Sequence, residues 1–303
     1  MPEIARILCP VDFSEASAHA IDLAIALAGW CRARITALHV CNPAYMPVPG
    51  LPPPAERVPP AEVQRAHDEI LKCFRPATAA GIGVDAVVDV GQPVRHILSR
   101  AIHSSADLIV MGTHGASGFE HLVLGSVTEK VLRRATCAVL TVPPRAHATS
   151  KLPFARVLCA VDFSDPSLAA LHLAQSLACD AHAALTVMHV IEWPWDEPPA
   201  PDFTQLPKEQ AAALAEYRRY VETTATGRLS TLLPEPVQQR CAAHVRVSHG
   251  KSYVEILRVA GDERADLIVM GVHGRNAIDM MLFGSTTNQV VRRATCPVLT
   301  LRK

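Results

Sequence analysis

Met111-Gly112-Thr113-His114-Gly115, followed after nine further residues by Gly125-Ser126, is the stretch from which the fold can be read. It returns as Met270-Gly271-Val272-His273-Gly274 and, again after nine residues, Gly284-Ser285. Each copy leaves a short apolar run, Asp107-Leu108-Ile109-Val110-Met111 or Asp266-Leu267-Ile268-Val269-Met270. Such a run bounded by glycine reads as a strand buried on both faces. A glycine loop that leaves a buried strand and enters a helix can aim backbone N–H groups at phosphate. The glycines also suit plain turn chemistry, because glycine tolerates positive φ. Ser126-Val127-Thr128-Glu129 reads as an ordinary capping box.

The two copies constrain each other. Residues 116–124 share no identity, position for position, with residues 275–283, yet their number and the flanking glycines persist. Held length with drifting residues points to a geometric requirement more than to packing. The second copy lacks the capping box, since Asn288 stands where Glu129 does, and still keeps Gly284-Ser285.

Upstream of the first loop, an apolar run over residues 4–11 reads as a strand ending at Asp12-Phe13-Ser14, with Ser14 as N-cap of a helix over 16–30. A strand over 35–40 follows. Eight prolines within residues 43–60 then exclude both helix and inner strand. The pattern next predicts a helix over 61–80 stopped by Gly81 and Gly83, a strand over 84–90 and a helix over 94–103 entered through Gly91-Gln92-Pro93. Beyond the loop come a helix over 126–134 and a strand over 138–142. This alternation implies a parallel sheet with helices on both faces. Residues 143–151 read as a linker, and everything then repeats. Asp162 matches Asp12 at an offset of 150, whereas Gly250 matches Gly91 at 159. The second half has therefore gained nine residues, all between Val190 and Gly250, where another Pro-rich loop and a helix over about 210–224 are expected. The fold class is α/β: two tandem Rossmann-like or flavodoxin-like open parallel sheets of five strands, domain 1 over 1–144 and domain 2 over 152–303. With strand 4 beside strand 1, in the order 3-2-1-4-5, Asp12 and Gly112 meet at the switch point where such sheets take ligands. Asp12 and Asp162 could bind a ribose or base edge there, or serve simply to cap the following helix.

Composition narrows the partners. The chain has 303 residues, with 29 Lys+Arg against 29 Asp+Glu, so no global field favours nucleic acid or an anionic membrane. Aromatics at 5% are too sparse for a base-stacking platform. No apolar run reaches the length of a membrane span, and the first residues lead straight into a strand without a signal-like region. Nine cysteines without a CxxC pair suggest free thiols and a cytoplasmic setting. No local spacing suggests a metal site, and Cys9, Cys159, Cys137 and Cys296 suit buried small hydrophobes. Redox sensing through Cys31, Cys41, Cys73, Cys179 or Cys241 stays open.

The pattern G-x2-G-x9-G-S after a V-D-x-S strand end resembles the nucleotide-binding branch of the universal stress protein family, and it covers the chain twice. The resemblance implies an ATP site in each half, with Mg2+ as counter-ion, and an adenine nucleotide as the small-molecule partner. Asp12 and Asp162 would contact ribose or base, and the backbones of Val40 and Val190 would meet the adenine. Gly112, Gly115, Gly125 and Ser126, with Gly271, Gly274, Gly284 and Ser285, would hold ribose and phosphates. Val127, Thr128, Thr286 and Thr287 follow into the helix and could add hydroxyl or N–H contacts, and the set includes Pro10, Met111 and Met270 at the strand ends. Ala160 departs from Pro10 and alters strand-end rigidity in the second half. Family pairing across the last strand implies association through residues 139–142 and 298–301; a homodimer and a regulatory protein partner are further expectations.

His114 and His273 invite a catalytic role but also suit exposed loop positions, and His39 and His189 read as satisfied half-buried histidines. Without a GxxxxGK[ST] lysine, slow hydrolysis at most is expected. An ATP-binding stress-response sensor is the reading the resemblance implies; a weak ATPase or adenylyl-transferring enzyme, and a ligand-free scaffold, are the alternatives.

Overall fold

The computed structural model describes residues 4–42, 58–113, 124–144, 152–193, 207–272 and 284–302. The prolines of 43–57 and the loop positions His114, Gly115, His273 and Gly274 lie outside them.

The first half runs β1 (Arg6–Val11), α1 (Glu15–Cys31), β2 (Arg34–Cys41), α2 (Pro60–Cys73), α3 (Arg75–Ala79), β3 (Val84–Val90), α4 (Pro93–His103), β4 (Leu108–Gly112), α5 (Ser126–Arg134) and β5 (Ala138–Val142). The second runs β6 (Arg156–Ala160), α6 (Asp165–Ala181), β7 (Ala184–Ile191), α7 (Lys208–Thr231), α8 (Glu235–Arg240), β8 (Ala243–His249), α9 (Ser252–Asp262), β9 (Leu267–Gly271), α10 (Ser285–Arg293) and β10 (Val298–Leu301). Two local expectations change. The helix expected over 61–80 is two helices, because Pro76 in the first turn of α3 removes an N–H that a continuous helix would use. Phe74, at the break, is fully buried and pins the bend to the core. In the second half α7 extends to Thr231, seven residues past the expected end, and a short α8 follows.

All ten strands form one sheet in the order β3-β2-β1-β4-β5-β10-β9-β6-β7-β8. Pairing is parallel within each half and antiparallel at the seam, where Leu140 faces Leu299. These two leucines are equivalent in the repeat, so the halves are related by a pseudo-twofold axis through the seam. Side chains alternate along each strand between two cores. Ile7, Cys9, Leu108 and Val110 face the layer that holds α1 and α2; Leu8, Ile109 and Met111 face the layer that holds α4 and α5. The second half divides in the same way, with Val157, Cys159, Leu267 and Val269 on one side and Leu158, Ile268 and Met270 on the other. Both cores run across the seam. Trp30 of α1 packs edge-on against Phe154 at 6.3 Å, and Arg302 donates to the carbonyl of Arg133 at the C-terminal end of α5.

A duplicated clamp sets the centre of each half. The Asp107 carboxylate accepts the N–H groups of Ala5 (3.0 Å) and Arg6 (2.8 Å), and Asp266 accepts those of Ala155 (2.8 Å) and Arg156 (3.0 Å). Each carboxylate stands at the start of the fourth strand of its half and grips the start of the first. No helix among the described residues is long and apolar enough to cross a membrane.

All nine cysteines are free. Burial pushes the Cys137 thiol up to about 11 and Cys296 up to about 12. In the unfolded chain these thiols ionise near 9.0. Above that pH the unfolded state binds fewer protons than the folded one, so stability falls as pH rises, by about 1.4 kcal/mol per pH unit for each such thiol. Urea titrations at pH 7 and pH 10 should show this loss, and Cys137→Ala with Cys296→Ala should lessen it only in part, because burial also raises the thiols of Cys9, Cys31, Cys159 and Cys241.

Candidate functional site

At the end of β1 the chain turns sharply through Asp12-Phe13-Ser14. The Asp12 carboxylate accepts the Ser14 N–H (3.1 Å) and hydroxyl (2.6 Å), an Asx turn that leaves Ser14 free to accept the Ser17 N–H as N-cap of α1. Phe13 sits inside the turn at φ 59°, a left-handed conformation that costs a non-glycine residue on the order of 1–2 kcal/mol. The second half repeats it: Asp162 accepts from Ser164 at 3.0 and 2.5 Å, and Phe163 has φ 64°. Each ring lies against a histidine of the neighbouring strand, Phe13 on His39 at 4.6 Å and Phe163 on His189 at 4.8 Å. Those histidines donate from Nδ1 to the carbonyls of Val11 (2.8 Å) and Val161 (2.7 Å), which fixes their tautomer. The half-buried, satisfied reading of His39 and His189 is therefore the one observed. The capping reading of Asp12 is partly met: it braces the cap, and Ser14 is the cap.

Across the switch point stands the glycine loop. Its ends are tied together, with Gly125 N–H donating to the Thr113 carbonyl (2.8 Å) and Gly284 N–H to that of Val272 (3.1 Å). The hydroxyls of Thr128 and Thr287 are buried and each donates at 2.9 Å to the carbonyl of Gly112 or Gly271. These threonines hold the loop neck, so any contact they make with a ligand falls to their backbones. The capping-box reading is overturned. Gly125 and Gly284 are the N-caps, with no side-chain cap hydrogen bond, and Glu129 stands one position past the capping-box place, still in the first turn, paired with Arg133 at 2.8 Å. The first N–H groups of α5 and α10 thus point outward from a cap that carries no side chain to cover them.

Glycine at 271 has a packing cause. A Cβ there would stand 2.9 Å from the backbone nitrogen of Ser167 and 3.1 Å from the carbonyl carbon of Pro166. The end of β9 therefore runs directly against the first turn of α6, which brings the Asp162 turn and the loop neck together.

In the second half these parts enclose an open cavity of about 880 Å3. Asp162, Val190, Met270, Gly271, Gly284, Ser285, Thr286 and Thr287 all line it, and so does Ala160, the counterpart of Pro10. The first half sets Asp12, Val40, Met111, Gly112, Gly125, Ser126, Val127 and Thr128 at the corresponding places on its own strands and helix. Sequence patterning missed one wall. Tyr220, Val221, Thr224 and Arg228 of α7 line the cavity, and the Arg228 guanidinium lies 3.9 Å over the Phe163 ring. Their signal was the i, i+4, i+8 spacing of Tyr220, Thr224 and Arg228, hidden because α7 was expected to stop at 224. Glu192 closes the rim and accepts the Ser252 N–H at 2.6 Å, at the start of α9.

The sequence pattern described as the universal stress protein family matches residues 3–143 and again 153–302. A universal stress protein of Mycolicibacterium smegmatis is 27% identical over 310 residues, covering 98% of this chain and 96% of its own. Universal stress protein YxiE of Bacillus subtilis is 31% identical over 145 residues, 45% of this chain and 97% of its own. Among solved structures, a universal stress protein from Archaeoglobus fulgidus superposes with a TM-score of 0.68 at 23% identity, covering 98% of this chain and 96% of its own.

Replacing Gly271 with Ala should cost about 1–3 kcal/mol, because backbone must move to admit the methyl group. Gly227, which has nothing within 4 Å of a built Cβ, is the control. Inside helix α7, Gly227→Ala should stabilise by up to about 1 kcal/mol. Urea unfolding of the two variants reads both effects.

Proposed function

We propose, since this chain belongs to the universal stress protein family, that each half binds an adenine nucleotide, ATP with Mg2+, and that the protein is a nucleotide-responsive regulator of a stress response. The observation that carries this reading is the second-half cavity, which gathers the strand-end aspartate, the loop neck and an uncapped helix start around one space. Its volume, about 880 Å3, falls within the range of small-molecule sites.

The roles follow from the chemistry of each group. Asp12 and Asp162, braced by their Asx turns, accept hydroxyls of a ribose. The backbones of Val40 and Val190, at the ends of β2 and β7, meet the edge of the adenine. Gly112, Gly115, Gly125 and Ser126 receive the phosphates in the first half, and Gly271, Gly274, Gly284 and Ser285 in the second. The N–H groups of Val127, Thr128, Thr286 and Thr287 lie in the positive first turn of their helices, where an anion is favoured. No group of three or more metal-ligating side chains occurs among the described residues, so Mg2+ would be held chiefly by the phosphates themselves.

Holding, more than hydrolysis, suits this lining. Asp162 is engaged by Ser164 and Glu192 by the Ser252 N–H, and neither is set up as a base for water. Among the described residues no lysine lines the cavity to draw charge from a γ-phosphate. Occupancy would act through the turn, the loop and α7, and so alter the surface offered to a protein partner in the cytoplasm.

Calorimetric titration of the full chain with ATP should give two sites per chain. Thr286→Glu places a carboxylate in the first turn of α10, where it favours the helix and repels phosphate. It should abolish the second-half site, leaving one ATP per chain with an unchanged unfolding midpoint. A wild-type chain that binds no ATP would end this reading.

A further inference from the structure

The first half holds an open cavity of about 780 Å3 between α4 and α5, and Arg95, Lys130 and Arg134 line it. Lys130 and Arg134 are four residues apart on α5 and so share a face, about 6 Å apart along the axis. Arg95 faces them from α4. The neighbouring carboxylates are engaged elsewhere: Asp89 with Arg100 at 2.8 Å and His96 at 3.3 Å, and Glu129 with Arg133 at 2.8 Å. Among the described residues no carboxylate pairs with Arg95, Lys130 or Arg134.

The second half serves as an internal control. Arg95 is replaced there by Val254 and Lys130 by Gln289. Arg134 persists as Arg293, but its guanidinium lies 5.2 Å over the Tyr253 ring, where the first half has Val94. Asn42 on the rim becomes Glu192, offset by Lys251 in place of Gln92. The first half therefore presents three positive charges where the second presents a net of one. The pocket also adjoins the expected nucleotide position, because Asn42, Pro93 and Val127 on its wall correspond to Glu192, Ser252 and Thr286 on the wall of the second-half cavity.

We infer that this pocket is an anion site for an oligophosphate, which makes the two halves unequal receptors and goes beyond the shared nucleotide reading. Two guanidinium forks and an ammonium group match the oxygens of phosphoryl groups. A single carboxylate has two oxygens and can bridge two of these cations, as Asp89 bridges His96 and Arg100, whereas a chain of phosphoryl groups offers oxygens to all three. The occupant is either the distal phosphates of a nucleotide in the first half or a free inorganic oligophosphate.

The test titrates the full chain with inorganic tripolyphosphate, comparing wild type with the triple variant Arg95→Gln, Lys130→Gln, Arg134→Gln. All three side chains are exposed, and the unfolding midpoint verifies that the variant folds. Wild type should bind tripolyphosphate at least about tenfold more tightly than the variant, and more weakly as salt is raised. AMP, with its single phosphate, should bind both equally. If saturating ATP displaces tripolyphosphate from wild type, the nucleotide's own phosphates occupy the pocket; if both bind together, a free oligophosphate does. Equal tripolyphosphate affinity in wild type and variant overturns the inference, even with ATP binding intact. Loss of AMP and ATP binding with the tripolyphosphate difference preserved would instead overturn the nucleotide reading alone.

Discussion

The carboxylate of Asp107 holding the first N–H groups of β1, and that of Asp266 holding those leading into β6, is the contact on which each half depends. A parallel sheet can add its fourth strand at either edge. Placing β4 beside β1 reverses the direction in which the sheet grows, and the reversal opens a crevice beyond the strand ends. The clamp also sets register, pairing Ile7 with Leu108 and Leu8 with Ile109. With that register, the Asp12 turn and the Gly112 loop emerge at the same level. In the second half the fit is close enough that Gly271 has no room for a methyl group against α6.

The seam has a different logic. β5 and β10 would be bare edges, each with a row of unpaired backbone groups. Antiparallel pairing removes both edges and makes one sheet of ten strands. Thr141 and Thr300 are buried beside the axis, and each donates its hydroxyl across the seam, to the carbonyl of Val298 (3.1 Å) and of Val139 (3.2 Å). Because the strands of the two halves run in opposite directions, the two switch points open on opposite edges of the sheet. The halves share their cores, and their strand-end crevices lie apart.

Duplication kept the frame and released the rims. The Asx turns, the left-handed phenylalanines, the histidine contacts and the loop necks agree between halves to within a few tenths of an ångström. What surrounds them has diverged. α7 lays Arg228 over Phe163, whereas Phe13 keeps 39% of its surface exposed. The cations of α4 and α5 have no full counterpart across the axis. The rims of the two halves therefore differ in charge and shape while the shared core is kept.

The repeat, the alternation of strand and helix, the two-faced burial of the central strands and the fixed length of the glycine loop are all readable from the amino-acid sequence. Each is written in local periodicity or spacing, and tandem copies make it readable twice. Asp12, Gly112 and their counterparts were legible as a set for that reason. That Gly125, and not Ser126, caps α5 emerges with the fold, since capping depends on the dihedral angles at the loop's exit. So does the finding that Thr128 and Thr287 brace the loop, that Pro76 and Phe74 break a helix in two, and that α7 forms a wall of the cavity. Those outcomes depend on which groups meet across long stretches of chain. Hydrogen bonds and close packing join residues by distance in space, and periodicity along a sequence carries no record of that distance.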